Sequence, residues 1–198
     1  MPELALAREQ YRAGKTALFK SLATSGASTR GIHSLLRKLA QHTDVTLQKL
    51  WLLADFAPDA CLVAAGGYGR GELFPHSDVD VLLLLPDNSE ANDNPQLKAK
   101  IETFISNCWD SGLEIGSSVR TVADCVLEAA KDVTVQTSLL EARLVVGSRK
   151  NFVRLQTQLA GLLDAKRRQQ VLAGLGTNWP KTVWRRRLKS SKSKPTKR

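Results

Sequence analysis

Apolar residues in the first part of the chain recur at helical spacing. Ile32, Leu35, Leu36, Leu39, Leu50 and Leu53 fall on one stripe of a helix, which predicts a face turned toward a core that lies elsewhere. The small-residue cluster Ser25-Gly26-Ala27-Ser28 divides this region into two helical segments. Ser28 or Thr29 can cap the second, because a short hydroxyl side chain accepts a hydrogen bond from one of the N–H groups that open a helix. Residues 1–56 are therefore read as an N-terminal helical segment.

After Pro58 the pattern changes. Cys61 to Ala65 and Val79 to Leu85 are short apolar runs, the first ended by Gly66-Gly67 and the second, interrupted only by Asp80, by Pro86, and both predict buried strands. PDNSEANDNP, residues 86–95, predicts a solvated loop. Leu97, Ile101, Phe104, Ile105 and Cys108 then share one helical face, and Gly112 can end that helix. Leu113 to Val119 predicts a third strand. Thr121 followed by Asp124 resembles a capping box, so a helix starts there. Leu139, Leu140 and Leu144 predict one more helix, and Phe152, Leu155, Leu159 and Leu162 the next. No internal repeat is visible.

A chain of 198 residues, 42% hydrophobic, can bury a core and suits one domain with appendages. It has no run of roughly 18 apolar residues for a membrane span, and MPELALAREQYRAGK lacks the apolar region of a secretory signal. A soluble, cytoplasmic protein with no membrane partner is expected. Cys61, Cys108 and Cys125 form no CxxC pair and lie among apolar neighbours, so buried small hydrophobes are expected rather than disulfide or zinc ligands.

The net charge of +10 is lopsided. Residues 166–198 hold twelve Lys or Arg and no Asp or Glu, which leaves seventeen basic and nineteen acidic residues in 1–165. The body thus lacks the footprint of a protein that tracks a phosphate backbone, and nucleic acid is expected only non-specifically, through the tail. Gly14-Lys15-Thr16 looks like the end of a phosphate-binding loop, but Glu9 stands where the leading glycine belongs and no strand precedes it.

Candidate chemistry concentrates in VAAGGYGRGELFPHSDVDVLLLL, Val63 to Leu85. Gly66 and Gly67 follow a strand, and without side chains their backbone N–H groups can approach a triphosphate. Asp78 and Asp80 stand two residues apart at the start of the next strand, so both carboxylates project from one face. Such a pair suits Mg²⁺, and two such ions about 3.5–4 Å apart stabilise the attacking and leaving oxygens of a phosphoryl displacement. Alone, a glycine pair marks an ordinary turn and a D-x-D a solvated strand end. A glycine pair followed eleven residues later by D-x-D entering an apolar strand favours the site.

This arrangement resembles the signature of the polymerase-beta-type nucleotidyltransferase superfamily. The longer string GGYGRGELFPHSDVDVLLLL, with Trp109-Asp110, Gly112-Leu113-Glu114, Ser118 to Thr121 and LLEARL over 139–144, is similar to the bacterial protein-PII uridylyltransferases. The likeness spans most of residues 24–165. It implies an α/β (α+β) nucleotidyltransferase fold, a small mixed sheet flanked by helices, over residues 57–165. It also implies Mg²⁺ at a two-metal site, UTP as nucleotide donor, a tyrosine hydroxyl of the signalling protein PII as acceptor in nitrogen regulation, and pyrophosphate as product.

Carried over, Gly66 and Gly67 would bind phosphates, Asp78 and Asp80 metal, and Ser77 the triphosphate. Arg70 either reaches phosphate or bridges the carbonyls of its own loop. A third catalytic carboxylate is implied on a neighbouring strand. Leu113-Glu114-Ile115 fits it, with Asp110 a competitor. His76 reads as a turn residue at the surface.

Two departures stand out. Ser117 occupies the place of a family histidine, and the family's further transferase, uridylyl-removing and effector-sensing regions do not follow. The likeness stops near Ala165, which reads as a truncated or frame-shifted form, with a naturally reduced paralogue as the alternative, ending in a basic, disordered tail over residues 166–198. Two rival functions remain: a catalytically inactive module that binds nucleotide or PII, and another nucleotidyltransferase of the same superfamily.

Overall fold

Seven helices and four strands alternate in the computed structural model, which describes residues 2–25, 28–87, 89 and 94–178. The strands are β1 (Cys61–Ala64), β2 (Val79–Leu85), β3 (Ile115–Thr121) and β4 (Arg143–Gly147). They form one mixed sheet in the order β3-β2-β1-β4. β1 runs antiparallel to both β2 and β4, and β2 runs parallel to β3 with Asp80 opposite Gly116. This is the small mixed sheet with flanking helices that the resemblance implies.

Alternation along the strands sorts the side chains. Leu62, Ala64, Val79, Val81, Leu83 and Leu85 join one core with Tyr11 of α1 (Pro2–Ser25), Leu39, Leu47, Leu50 and Trp51 of α2 (Thr29–Ala54), and Phe104 and Cys108 of α4 (Pro95–Asp110). Each fully buried Leu contributes about 1.5–3 kcal/mol. Trp51, Phe56 and Phe104 meet at 4.4–5.9 Å between ring centroids, in tilted and edge-on pairs. The opposite face carries Cys61, Val63, Leu82 and Leu84. All four are buried, so the strands read as apolar runs and not as alternating ones.

Helix starts follow their caps. Ser28 accepts from the Gly31 N–H at 3.1 Å, and Asn94 from that of Leu97 at 3.0 Å with Pro95 in the first turn. At α5 (Val122–Lys131), the Thr121 hydroxyl accepts from the Asp124 N–H, and the Asp124 carboxylate accepts in return from the Thr121 N–H and hydroxyl. Asp132 caps α6 (Val133–Leu140) through the Thr134 N–H.

Four expectations need correction. Ile32 and Leu53 are exposed, and the buried stripe of α2 runs instead through Leu47 and Trp51. The third strand begins at Ile115, since Leu113 and Glu114 still belong to the turn that follows α4, and it ends at Thr121. Leu144 lies in β4, because α6 stops at Leu140 and the β-branched Val145 and Val146 extend the chain. Finally, α7 (Arg149–Asn178) carries helix into the segment expected to be a structureless tail, and residues 179–198 of that tail lie outside the described residues.

Contacts divide the chain into two units, residues 1–159 and 160–198. The first holds the sheet, α1 to α6 and the candidate chemistry; the second is helical up to Asn178.

Candidate functional site

The glycine pair is built into a single helical turn. β1 ends at Ala64, Ala65 is extended, and α3 (Gly66–Gly69) begins at once. The Gly69 N–H donates to the Ala65 carbonyl and that of Arg70 to Gly66, while the N–H groups of Gly66 and Gly67 head the turn with no acceptor inside it. Gly66 sits at φ +55°, a left-handed conformation that a side chain disfavours. A Cβ on Gly69 would lie 2.5 Å from the Glu141 carbonyl oxygen, so the turn packs against the end of α6 as only glycine allows.

Asp80 faces this turn. The Ala65 N–H donates to its backbone carbonyl at 3.0 Å. Its carboxylate lies between two glycines: a Cβ added to Gly66 would stand 3.2 Å from Oδ2, and one added to Gly116 2.9 Å from Oδ1. Partial burial pushes the Asp80 carboxyl above its ordinary range, and the negative charge of Asp78 adds to that shift. Asp78 itself is exposed, one residue before β2.

From Asp80 a groove of about 380 Å³ runs between β3 and α6, lined by Gly116, Ser118 and Arg120 on the strand and by Thr134, Val135 and Ser138 on the helix. The Ser138 hydroxyl is 3.9 Å from where a Gly66 Cβ would be. Arg120 and Ser138 carried no assignment in the sequence. Their signal was present for Arg120, in the i, i+2, i+4 alternation with Ser118 and Gly116, and absent for Ser138, which reads as an ordinary helix residue.

Arg70 reaches across α3. Its guanidinium pairs with Glu72 at 3.3 Å and Glu141 at 2.5 Å, so of the two expected roles, phosphate contact or a bridge to loop carbonyls, the second is replaced by a bridge between carboxylates. Its Nη2 lies 3.5 Å from a Cβ position on Gly67, over the turn that would receive phosphate.

A second network fixes the turn from behind. Tyr68 donates to Asp44 Oδ1 at 2.5 Å, and Arg143 donates to both Asp44 oxygens at 2.7 and 3.1 Å while stacking 5.4 Å from the Tyr68 ring. Burial foremost, with the Asp44 charge, drives the Tyr68 phenol well above its ordinary pKa, so it stays a hydrogen-bond donor. This joins α2, α3 and β4 and was not read from the sequence, because its members lie 24 to 99 residues apart.

Other expected site residues lie elsewhere. Ser77 donates to the Phe74 carbonyl at 3.1 Å, and with Glu114, His76, Tyr11 and Lys15 it lines a separate small cavity. Glu114 gives its backbone carbonyl to the Val79 N–H, and the charge of its side chain raises the Tyr11 pKa, although burial is the larger cause there. Among the described residues no three His, Cys, Asp or Glu side chains cluster closely enough to hold a metal. Asp110, the competitor to Glu114 for a third carboxylate, lines a groove along α1.

The pair that remains fits a cation. Two carboxylates, both open to solvent and one of them partly desolvated and set where a Cβ would intrude, form a hard oxygen donor set that is incomplete by itself and open to phosphate oxygens.

The family described as "Putative nucleotidyltransferase DUF294" matches residues 15–117. The chain is 49% identical over 167 residues to a bifunctional uridylyltransferase/uridylyl-removing enzyme of Cupriavidus metallidurans, covering 83% of this chain and 19% of that protein. It is 51% identical over 166 residues to the enzyme of the same name from Cupriavidus pinatubonensis (82% and 18%) and 53% over 135 residues to that of Ralstonia nicotianae (68% and 15%). It thus spans about a fifth of the length of these relatives. Among solved structures, the toxin-antitoxin MntA-HpeT matches with a TM-score of 0.38 and 13% identity over 68% of this chain and 98% of that one. With the glycine turn and Asp80 inside the matched span, the chain belongs to the family described as putative nucleotidyltransferases.

Proposed function

We propose that the domain transfers UMP from UTP to a tyrosine hydroxyl of the signalling protein PII, with Mg²⁺ held by Asp78 and Asp80. The observation that supports it is the placement of the Asp80 carboxylate against Gly66, at the head of the glycine turn and at one end of a nucleotide-sized groove. In that reading the N–H groups of Gly66 and Gly67 hold the triphosphate, and Arg70 swings from its two glutamates to the phosphates. Ser77, bonded to Phe74 at the rim of the other cavity, acts only by keeping the loop before Asp78 in place. A divalent cation bound here would neutralise charge that develops on the phosphate oxygens.

The acceptor oxygen forms a bond to the α-phosphorus, the bridging bond to the β-phosphate breaks, pyrophosphate leaves, and the hydroxyl proton is released. The acceptor is proposed from the relatives' activity, together with the cytoplasmic setting that goes with it.

The test is transfer of labelled UMP from UTP to purified PII with and without Mg²⁺, in wild type and Asp80→Asn. Metal-dependent labelling that falls at least about a hundredfold in Asp80→Asn is expected. Binding of Mg²⁺-UTP without labelling would leave a nucleotide-binding module, and a wild-type melt indifferent to Mg²⁺-UTP would refute the site.

A further inference from the structure

We infer that Arg120 reads the base of the bound nucleotide and sets its preference for uracil; this rests on the nucleotide site proposed above. The groove has two ends. At one, Asp80, Gly66 and the Ser138 hydroxyl gather around the position for phosphates. At the other stands Arg120. Parallel pairing puts Asp80 level with Gly116 and Arg120 level with Leu84, four residues further along β3. At about 3.3 Å per residue this is roughly 13 Å between Cα positions, a separation suited to phosphates at one end and the far edge of the nucleoside at the other. Gly116, Ser118 and Arg120 alternate onto the groove face of the strand, so the Arg120 side chain shares that face with Asp80.

Arg120 is also uncommitted. Among the described residues it makes no ion pair or hydrogen bond, although Asp124 and Cys125 feel its charge. Asp124, the nearest carboxylate in sequence, is engaged by the Thr121 N–H and hydroxyl. Apart from Asp80, Arg120 is the charged side chain lining this groove. A half-buried guanidinium offers donors alone, and so favours a base edge that presents acceptors. Uracil presents carbonyl oxygens at both ends of its pairing edge. Cytosine also carries two acceptors on that edge, O2 and the ring nitrogen N3, so the discrimination rests on the O4 position: there cytosine presents an amino donor, which would face the guanidinium with no acceptor. Val135 and Leu139 supply an apolar wall for the face of the ring.

The experiment measures dissociation constants of UTP, CTP, ATP and GTP in the presence of Mg²⁺, for wild type, Arg120→Gln and Arg120→Lys. Melts without nucleotide show that the variants fold. Loss of charge-assisted hydrogen bonds should weaken UTP about ten- to a hundredfold in Arg120→Gln while CTP changes less than about threefold, with Arg120→Lys intermediate. A parallel loss for all four nucleotides would make Arg120 a phosphate contact and overturn the inference while leaving the site intact. Unchanged UTP affinity in both variants would overturn it as well. A wild type that binds none of the four would instead refute the nucleotide site itself.

Discussion

Asp80 and Gly116 occupy opposite rungs of the parallel β2–β3 pair, and the carboxylate of the first fills the space a side chain on the second would need, 2.9 Å from the missing Cβ. Gly116 lacks the positive φ of Gly66, so its backbone accepts any residue. Gly116→Ala should therefore keep or slightly raise stability, since Gly in a strand costs about 0.5–1 kcal/mol relative to Ala. The added methyl should turn the Asp80 carboxylate away from the metal position. Mg²⁺-dependent UTP binding should fall at least tenfold, and transfer about a hundredfold, the order seen for a displacement of about 1 Å. Calorimetry and thermal melts check the two halves. A variant with normal binding and lowered stability would make Gly116 a scaffold residue.

The same pair shows how far the sequence could be read. β1, β2, α4 and α5 follow from apolar runs, periodicity and capping residues, which act over a few positions. The glycine turn and D-x-D were legible because they lie within fifteen residues of one another, Gly66 to Asp80. β4 was not, because only Glu141 and Ala142 separate it from α6 and neither Gly nor Pro marks the change of period. Glu114 looked equivalent to a third ligand by its neighbours Leu113 and Ile115, but the turn after α4 assigns it to the Tyr11 cavity, a consequence of tertiary packing. Gly116 and Arg120 owe their roles to the pairing register of β3, which pattern alone does not fix.

The capping box of α5 should register in the acid limb of stability. The Thr121 hydroxyl and N–H hold the Asp124 carboxyl below its ordinary value of 3.8. Because the folded pKa is the lower one, the contribution is present above 3.8 and is lost as pH falls through the folded value. Asp124→Asn should therefore lower stability near neutral pH and flatten its decline below about pH 4. Denaturation midpoints from pH 2.5 to 7 for both proteins check this. Parallel curves throughout would show that the carboxylate charge contributes nothing.

Arg70 and its two glutamates are well exposed, so the ion pairs themselves should matter little to folding. Arg70→Ala should melt close to wild type yet bind Mg²⁺-UTP several-fold more weakly, most clearly at low salt. Glu141→Gln releases one of the two competitors for the guanidinium and should leave UTP affinity equal or higher. If Arg70→Ala binds as wild type does, the arginine only bridges Glu72 and Glu141.

Asp44 and Arg143 test whether the turn is held from behind. Asp44 accepts from Arg143 at both oxygens and from the Tyr68 hydroxyl, and its side chain is 18% exposed. Asp44→Ala leaves a half-buried guanidinium and a buried phenol without their acceptor, and should cost about 2–3 kcal/mol by chemical denaturation. Tyr68→Phe removes one bond and should cost about 1 kcal/mol. Since Tyr68 belongs to α3 and Arg143 to β4, the loss should also displace Gly66 and Gly67, so UTP affinity should fall even where the protein remains folded. The double-mutant cycle separates the pair from each residue's own packing. Asp44→Ala with Arg143→Ala should be less destabilising than the sum of the single changes by about 1–3 kcal/mol, because removing the second partner no longer strands a charge. Additive losses with unchanged UTP affinity would mean that the network serves the helix–sheet junction alone and leaves the glycine turn to be set by Gly69 against Glu141.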